Sequence, residues 1–202
     1  KRRAPVVEDG PLFDRLSARL EKISAAEQIT NVRFWLPSGS AVLDAIVGDG
    51  KGWPLGRLVE VYGKRSSGKT TLTCATGGQA QKYGGFFVYL ATEPHVISSK
   101  DWLERNGVAS EYALIYKPRT LEECLELMIE AARMGMREDV PTVIGWGSVA
   151  ASGHEKLIED GENGVAVAAK LISQAFKGAV LRGIHNSKVL ILCENQLRFA
   201  FG

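Results

Sequence analysis

The sequence predicts an α/β fold: a mainly parallel sheet with helices on both faces, preceded by an amphipathic helix. Two observations lead to it. Short apolar runs rich in branched and aromatic residues alternate with segments of helix length, and strands separated by helices pair in parallel through right-handed crossovers. The run at 58–62 is followed directly by a turn dense in glycine, serine and lysine that opens a helix-compatible segment, the local order strand, tight turn, helix.

Residues 1–35 read as an N-terminal arm and linker, and 36–202 as the core. Over 11–23, Leu12, Phe13, Leu16, Leu20 and Ile23 share one face opposite Arg15, Arg19 and Lys22, the spacing of a helix with one buried side. Such a helix packs either on its own core or on a neighbouring subunit, so the arm is a candidate oligomerisation device. Ser38-Gly39-Ser40 leads into a short helix over 41–47, and Gly48, Gly50, Gly52 and Pro54 mark a loop. Strands are predicted at 58–62, 86–91, 113–116, 142–146 and 189–193, with helices at 71–83, 99–106, 121–136 and 165–184. Parallel sheets of this kind bind ligands at the carboxyl ends of their strands. The residues there are Glu93, Lys117 to Arg119, Gly147-Ser148 and Glu194-Asn195-Gln196.

At 202 residues the chain is one domain by size, able to bury roughly 70 % of its unfolded surface. A net charge of +2 is too small to hold nucleic acid by bulk electrostatics, so any such surface must be local. Cys74, Cys124 and Cys193 are odd in number and sit in apolar or helix-like runs, which fits reduced thiols in an intracellular compartment. No apolar stretch approaches the ~18 residues of a membrane span. The chain opens on Lys1-Arg2-Arg3 without a methionine, as a trimmed fragment would.

The run Gly63-Lys64-Arg65-Ser66-Ser67-Gly68-Lys69-Thr70-Thr71 matches a phosphate-binding P-loop in the context such a loop requires. Its glycines allow a tight turn whose backbone N–H groups converge into an anion nest. The helix beginning near Lys69 adds its positive end. Lys69 would reach the β- and γ-phosphates, and the Thr70 hydroxyl would ligate Mg²⁺. The alternative, a chance glycine–lysine surface turn, does not account for the strand before it and the helix after it. Nucleoside triphosphate binding, with Gly63, Ser66, Ser67, Gly68, Lys69, Thr70 and Thr71 as the cradle, is the expectation.

Further blocks make the reading more specific. Ser38-Gly39-Ser40 with Leu43-Asp44, Gly56-Arg57-Leu58-Val59-Glu60-Val61-Tyr62-Gly63, Ser148-Val149-Ala150-Ala151, Ile172-Ser173-Gln174-Ala175 and Asn195-Gln196-Leu197-Arg198 occur in an order and spacing that resemble the RecA family of ATP-dependent recombinases. The wording Gly52-Trp53-Pro54-Leu55-Gly56-Arg57 looks most like divergent or virus-encoded members. The resemblance implies a RecA-like P-loop NTPase core and a DNA-dependent ATPase using ATP and Mg²⁺. It also implies filaments on single-stranded DNA, pairing with a homologous duplex in recombination and repair, and residence in the cytoplasm of a bacterium or virus-infected bacterium. Glu93 matches the glutamate that activates the attacking water, a role suited to a positioned carboxylate; a solvated loop glutamate is the plainer alternative. Gln196 matches the glutamine that senses the γ-phosphate, and an amide can donate to phosphate while accepting elsewhere. Trp102 lies near the position where the family stacks a ring on adenine, although a core tryptophan fits as well. Gly161, Asn163 and Gly164 fall in the first DNA-binding loop. Arg198 opens the second, where it contacts DNA phosphate, nucleotide on a neighbouring subunit, or solvent.

Two departures qualify this picture. The family ends its fourth strand with aspartate before Ser-Val-Ala-Ala, and Gly147 stands there instead. That removes a charge which supports hydrated Mg²⁺ and leaves ATPase activity uncertain. Glu194, where the family has an apolar residue, is placed to replace it near Mg²⁺ or Thr70, since it shares a strand face with Gln196; a structural ion pair and a weakly hydrolysing site are the other readings. The chain also stops at Phe201-Gly202, inside the second loop, as a C-terminally truncated or reduced member would. The rival reading is a non-catalytic or weakly hydrolysing ATP-binding scaffold or regulator. A helicase motor or clock-type ATPase is more distant, because the 173–175 and 195–198 blocks read as recombinase.

Overall fold

All five predicted strands are present in the computed structural model, which describes residues 11–12, 14–15, 32–93, 97, 99–152, 162–178 and 183–196, with the backbone alone over 162–166. The chain divides into two units, Lys1–Asn31 and Val32–Gly202. In the first, Pro11, Leu12, Asp14 and Arg15 are helical, and Arg15 Nε donates to the Pro11 carbonyl at 3.1 Å. Leu12, on the apolar face of the predicted helix, is 63 % exposed. The remainder of the predicted 11–23 helix lies outside the described residues.

The second unit opens with β1 (Trp35–Leu36), α1 (Ala41–Ile46) and β2 (Trp53–Pro54). β1 and β2 pair antiparallel, a two-stranded sheet that the glycine-rich sequence masked as loop. Ser40 caps α1 by accepting from Leu43 N–H at 3.4 Å. The buried Trp53 indole donates to Thr76 Oγ1 at 3.0 Å, and that hydroxyl donates to the Ser38 carbonyl at 3.1 Å. Burial of these polar groups costs little because each has a partner.

The main elements are β3 (Arg57–Gly63), α2 (Lys69–Lys82), β4 (Phe86–Ala91), α3 (Lys100–Arg105), β5 (Ala113–Tyr116), α4 (Leu121–Glu138), β6 (Thr142–Gly147), α5 (Glu162–Lys177) and β7 (Val189–Gln196). The strands form one parallel sheet in the order β3-β7-β6-β4-β5. The central strands β4, β6 and β7 are buried on both faces, which is why they read as continuous apolar runs. On one face Val88, Leu90, Ile144, Trp146 and Ile191 pack against α4 and the inner side of α5. On the other, Phe87, Tyr89, Val143, Leu190 and Leu192 share a core with Cys74 and Ala80 of α2, with Leu36 and Trp53, and with Leu103 of α3. Each fully buried large side chain contributes about 1.5–3 kcal/mol.

Two bounds differ from expectation in ways that matter. β7 continues through Gln196 rather than ending at 193, because β3 pairs with it as far as Gly63↔Gln196. α5 begins at Glu162, so Asn163 and Gly164, expected in a loop, are helical. Ala168, Leu171, Ile172, Ala175 and Phe176 anchor that helix on the core, and extending a formed helix backwards by a turn costs little once it is nucleated.

Candidate nucleotide site

The turn between β3 and α2 has the backbone that an anion nest needs. Gly68 is the N-cap of α2 at φ 87° and no side chain caps the helix, while Ser66 is also left-handed at φ 58°. Glycine takes that region freely, whereas Ser66 holds it at a cost of about 1–2 kcal/mol. Strain of this sort persists where surrounding structure imposes it, commonly at ligand sites. The uncapped first-turn N–H groups of α2 are orphan donors at the positive end of a 14-residue helix. Gly63 serves from beneath: a Cβ there would approach Ser67 Oγ to 2.6 Å. Lys69 Nζ donates to the carbonyls of Gly63 at 3.2 Å and Lys64 at 2.9 Å, which folds it back over the loop.

Facing this loop across a cleft of about 480 Å³ are the carboxyl ends of β4, β6 and β7. Glu93, just beyond β4, and Gln196, the last residue of β7, meet directly: Gln196 Nε2 donates to Glu93 Oε1 at 2.8 Å. Half-buried Trp102, on α3, lines the same cleft. Ser99 caps α3 by accepting from the Trp102 N–H at 3.2 Å, which fixes the turn that presents the indole. Lys117 to Arg119, at the end of edge strand β5, line no part of it.

Glu194 lies at the floor, 2 % exposed. Its register partner on β6 is Gly147 and on β3 is Val61, so it emerges beside the missing side chain of residue 147. A Cβ on Gly147 would come within 3.1 Å of Glu194 Oε2 and would overlap the Tyr89 hydroxyl. Thr70 Oγ1 donates to Glu194 Oε2 at 2.7 Å, and Tyr89 Oη donates to Oε1 at 3.2 Å. Burial pushes the Glu194 carboxyl above the usual carboxylate range, opposed by the nearby hydroxyls of Thr70, Thr73 and Tyr89 and by the Lys69 charge. Burial likewise raises the Tyr89 phenol, helped by the Glu194 charge, so it stays a donor.

The donors fit Mg²⁺. It takes hard oxygen ligands, usually one or two carboxylates with phosphate and water rather than an all-protein cage. Beside the P-loop the cleft offers the Thr70 hydroxyl and the Glu194 carboxyl, with Glu93 on the facing wall, and among the described residues no group of three or more His, Cys, Asp and Glu side chains forms a cage. Ser148 Oγ, buried on the same wall, has no hydrogen-bond partner among the described residues. An unsatisfied buried hydroxyl is a mark of a site that receives a further polar group.

The structure thus brings together Ser66, Ser67, Gly68, Lys69, Thr70, Thr71, Glu93, Trp102, Glu194 and Gln196 around one cleft, with Gly63 below it. Gly161 and Arg198 lie outside the described residues, and Asn163 and Gly164 belong to the first turn of α5. Tyr89 was missed. The available signal was a pair of glycines, Gly145 and Gly147, at alternate positions of an otherwise apolar strand, which marks a close approach from a neighbour.

Comparison with known proteins agrees with this geometry. The chain matches the RecA N-terminal domain over residues 20–202. It is 36 % identical over 169 residues to Protein RecA of a Nocardioides species, covering 83 % of this chain and 46 % of that relative. The same identity and coverage hold for Protein RecA of Methylococcus capsulatus. For Protein RecA of Corynebacterium diphtheriae the identity is 36 % and the share of the relative 43 %. The chain spans a little under half the length of these relatives.

Proposed function

The chain belongs to the RecA family, and from that premise we propose that it is the ATPase core of a recombinase that binds single-stranded DNA, assembles into filaments and promotes pairing with a homologous duplex. The observation that supports this reading best is the direct Gln196–Glu93 hydrogen bond across the cleft from the P-loop. It joins the residue suited to activating water to the residue that leads into the segment expected to meet DNA.

ATP, when bound, supplies the phosphoryl group to be transferred, and Mg²⁺ offsets the charge on its oxygens. The chain's own contributions are specific. The α2 N–H groups and the nest at Ser66 to Gly68 hold phosphate, and Lys69 exchanges the Gly63 and Lys64 carbonyls for phosphate oxygens. Thr70 donates its hydrogen bond to Glu194, so its lone pairs are free to face a cation. Trp102 offers a flat apolar face to a base. Glu93 takes the proton of the attacking water, and its hydrogen bond from Gln196 makes its orientation depend on where β7 ends. Arg198 and the segment around Gly161, Asn163 and Gly164 are the proposed DNA contacts, and the 1–35 arm the proposed contact with the next subunit.

The test is phosphate release from Mg·ATP with and without single-stranded DNA, with Lys69→Ala as blank. Release stimulated by DNA and lost in the variant supports the recombinase core. Gly147, which offers no carboxylate where the family has aspartate, favours a second reading, a weakly hydrolysing ATP-binding scaffold. Nucleotide binding without DNA-stimulated release selects that one.

A further inference from the structure

We propose that Tyr89 is a positioning residue of this nucleotide site: seated over Gly145 and Gly147, it fixes the Glu194 carboxylate so that the Thr70 hydroxyl turns its lone pairs towards the metal of a bound nucleotide. The inference rests on the nucleotide reading above and deepens it.

The ring leads to this assignment. Tyr89 is fully buried, with Phe87 tilted at 50° and 6.2 Å between centroids. It lies across two residues that have no side chain. A Cβ on Gly145 would come within 2.6 Å of Tyr89 Cδ2, and one on Gly147 would overlap the hydroxyl. Either substitution would move the ring, so the two glycines and the tyrosine act as one fitted unit. A tyrosine ring has only two torsions, and both are fixed here by packing. Its hydroxyl is therefore a rigid donor aimed at Glu194 Oε1.

Glutamate is the flexible partner. It has three torsions, and nothing in a strand selects among their rotamers unless neighbours do. Each oxygen accepts from one hydroxyl, Tyr89 on Oε1 and Thr70 on Oε2, while the neighbouring Thr73 donates to the Lys69 carbonyl at 3.1 Å. With Oε1 held, Oε2 is left on the cleft side as the acceptor for Thr70. A hydroxyl has one proton and two lone pairs, so a Thr70 that donates to Glu194 presents only lone pairs elsewhere. That is the orientation a hydroxyl needs to ligate a cation. Without the Tyr89 bond, Glu194 can rotate and Thr70 loses a fixed acceptor. Tyr89 touches neither nucleotide nor metal in this account; it acts through Glu194.

The experiment is a titration of a fluorescent ATP analogue against the full chain, with Mg²⁺ and with EDTA, read as the ratio of the two affinities. Tyr89→Phe removes the hydroxyl and keeps the ring that fills the space. It should lower the ratio about five-fold, the equivalent of one hydrogen bond near 1 kcal/mol. In a Glu194→Gln background the same substitution should change the ratio no further. Gly147→Ala, which pushes on the hydroxyl end of the ring, should lower the ratio as Tyr89→Phe does. An unchanged ratio in Tyr89→Phe, or an equal fall in the Glu194→Gln background, overturns the positioning role and leaves the nucleotide reading intact. Absence of any nucleotide binding by the unmodified chain overturns both.

Discussion

Replacing Glu194 by glutamine should stabilise the nucleotide-free protein and weaken its response to Mg²⁺. The carboxyl sits at 2 % exposure between Thr70 and Tyr89, and burial outweighs its hydrogen bonds in setting its acidity. A charge held there costs several kcal/mol before compensation, and each hydroxyl bond to it returns about 1.5–3 kcal/mol. Glutamine keeps the volume and removes the charge. One of the two hydroxyls must turn to accept from the new amide, a loss of about 1 kcal/mol. The net expectation is a gain of about 1–2 kcal/mol, or roughly 2–8 °C in Tm for a chain of this size. Thermal melts in EDTA, followed by circular dichroism, read it directly. With saturating Mg·ATP that gain should shrink towards zero. A ten-fold weaker ligand forfeits about 1.4 kcal/mol of linked stabilisation, and a larger loss of affinity forfeits more. A fall of Tm in EDTA would refute the reasoning, since it would mean the carboxylate is fully compensated within the fold. An unchanged shift on adding Mg·ATP would refute its part in holding the metal.

Three further outcomes are expected. Gly77→Ala would drive a methyl into the buried Phe87 ring, so a helix gain of about 0.8–1 kcal/mol should be outweighed by about 1–3 kcal/mol of overpacking, seen as a lower urea midpoint. Burial pushes the thiols of Cys74, Cys124 and Cys193 up to about 12; they should resist a thiol reagent at pH 8 until the chain is unfolded. Because their folded values lie above the unfolded value near 9, the stability they contribute is complete below about pH 9 and lost as pH rises towards 12, as urea unfolding across that range would show. Glu93→Gln should cut phosphate release by roughly 10²–10⁴-fold while leaving the nucleotide dissociation constant within about two-fold, as measured by single-turnover kinetics and direct titration.

Elements that close on local chemistry were legible in the sequence. Strands β4 and β5 fall at the expected residues because continuous apolar runs between turn residues leave little choice. The strand–turn–helix around residues 57–82 was legible from its glycine and lysine spacing, and Glu93 and Gln196 fall at strand ends, where such sheets bind ligands. What the sequence hid depends on tertiary partners. The pairing of Trp35–Leu36 with Trp53–Pro54 joins runs of two residues, too short for any periodicity. The helical start of α5 follows from packing further along that helix. Tyr89 looked like one more apolar strand residue in Phe86–Ala91, and only the fold sets its hydroxyl against β7.

Gly147 and Glu194 are best understood as one change seen at two positions. Parallel strands place register partners side by side on the same face, and β6 and β7 pair Gly147 with Glu194. A side chain at 147 would therefore crowd the carboxyl at 194 and overlap the Tyr89 hydroxyl. A Cβ at 147 would already lie 3.1 Å from Glu194 Oε2. The glycine is what admits the longer glutamate from the neighbouring strand, together with the tyrosine that orients it. Glycine at a position expected to be acidic reads, taken alone, as loss of function. In this sheet a carboxyl group is still present, one strand over, and it accepts a hydrogen bond from the Thr70 hydroxyl at 2.7 Å.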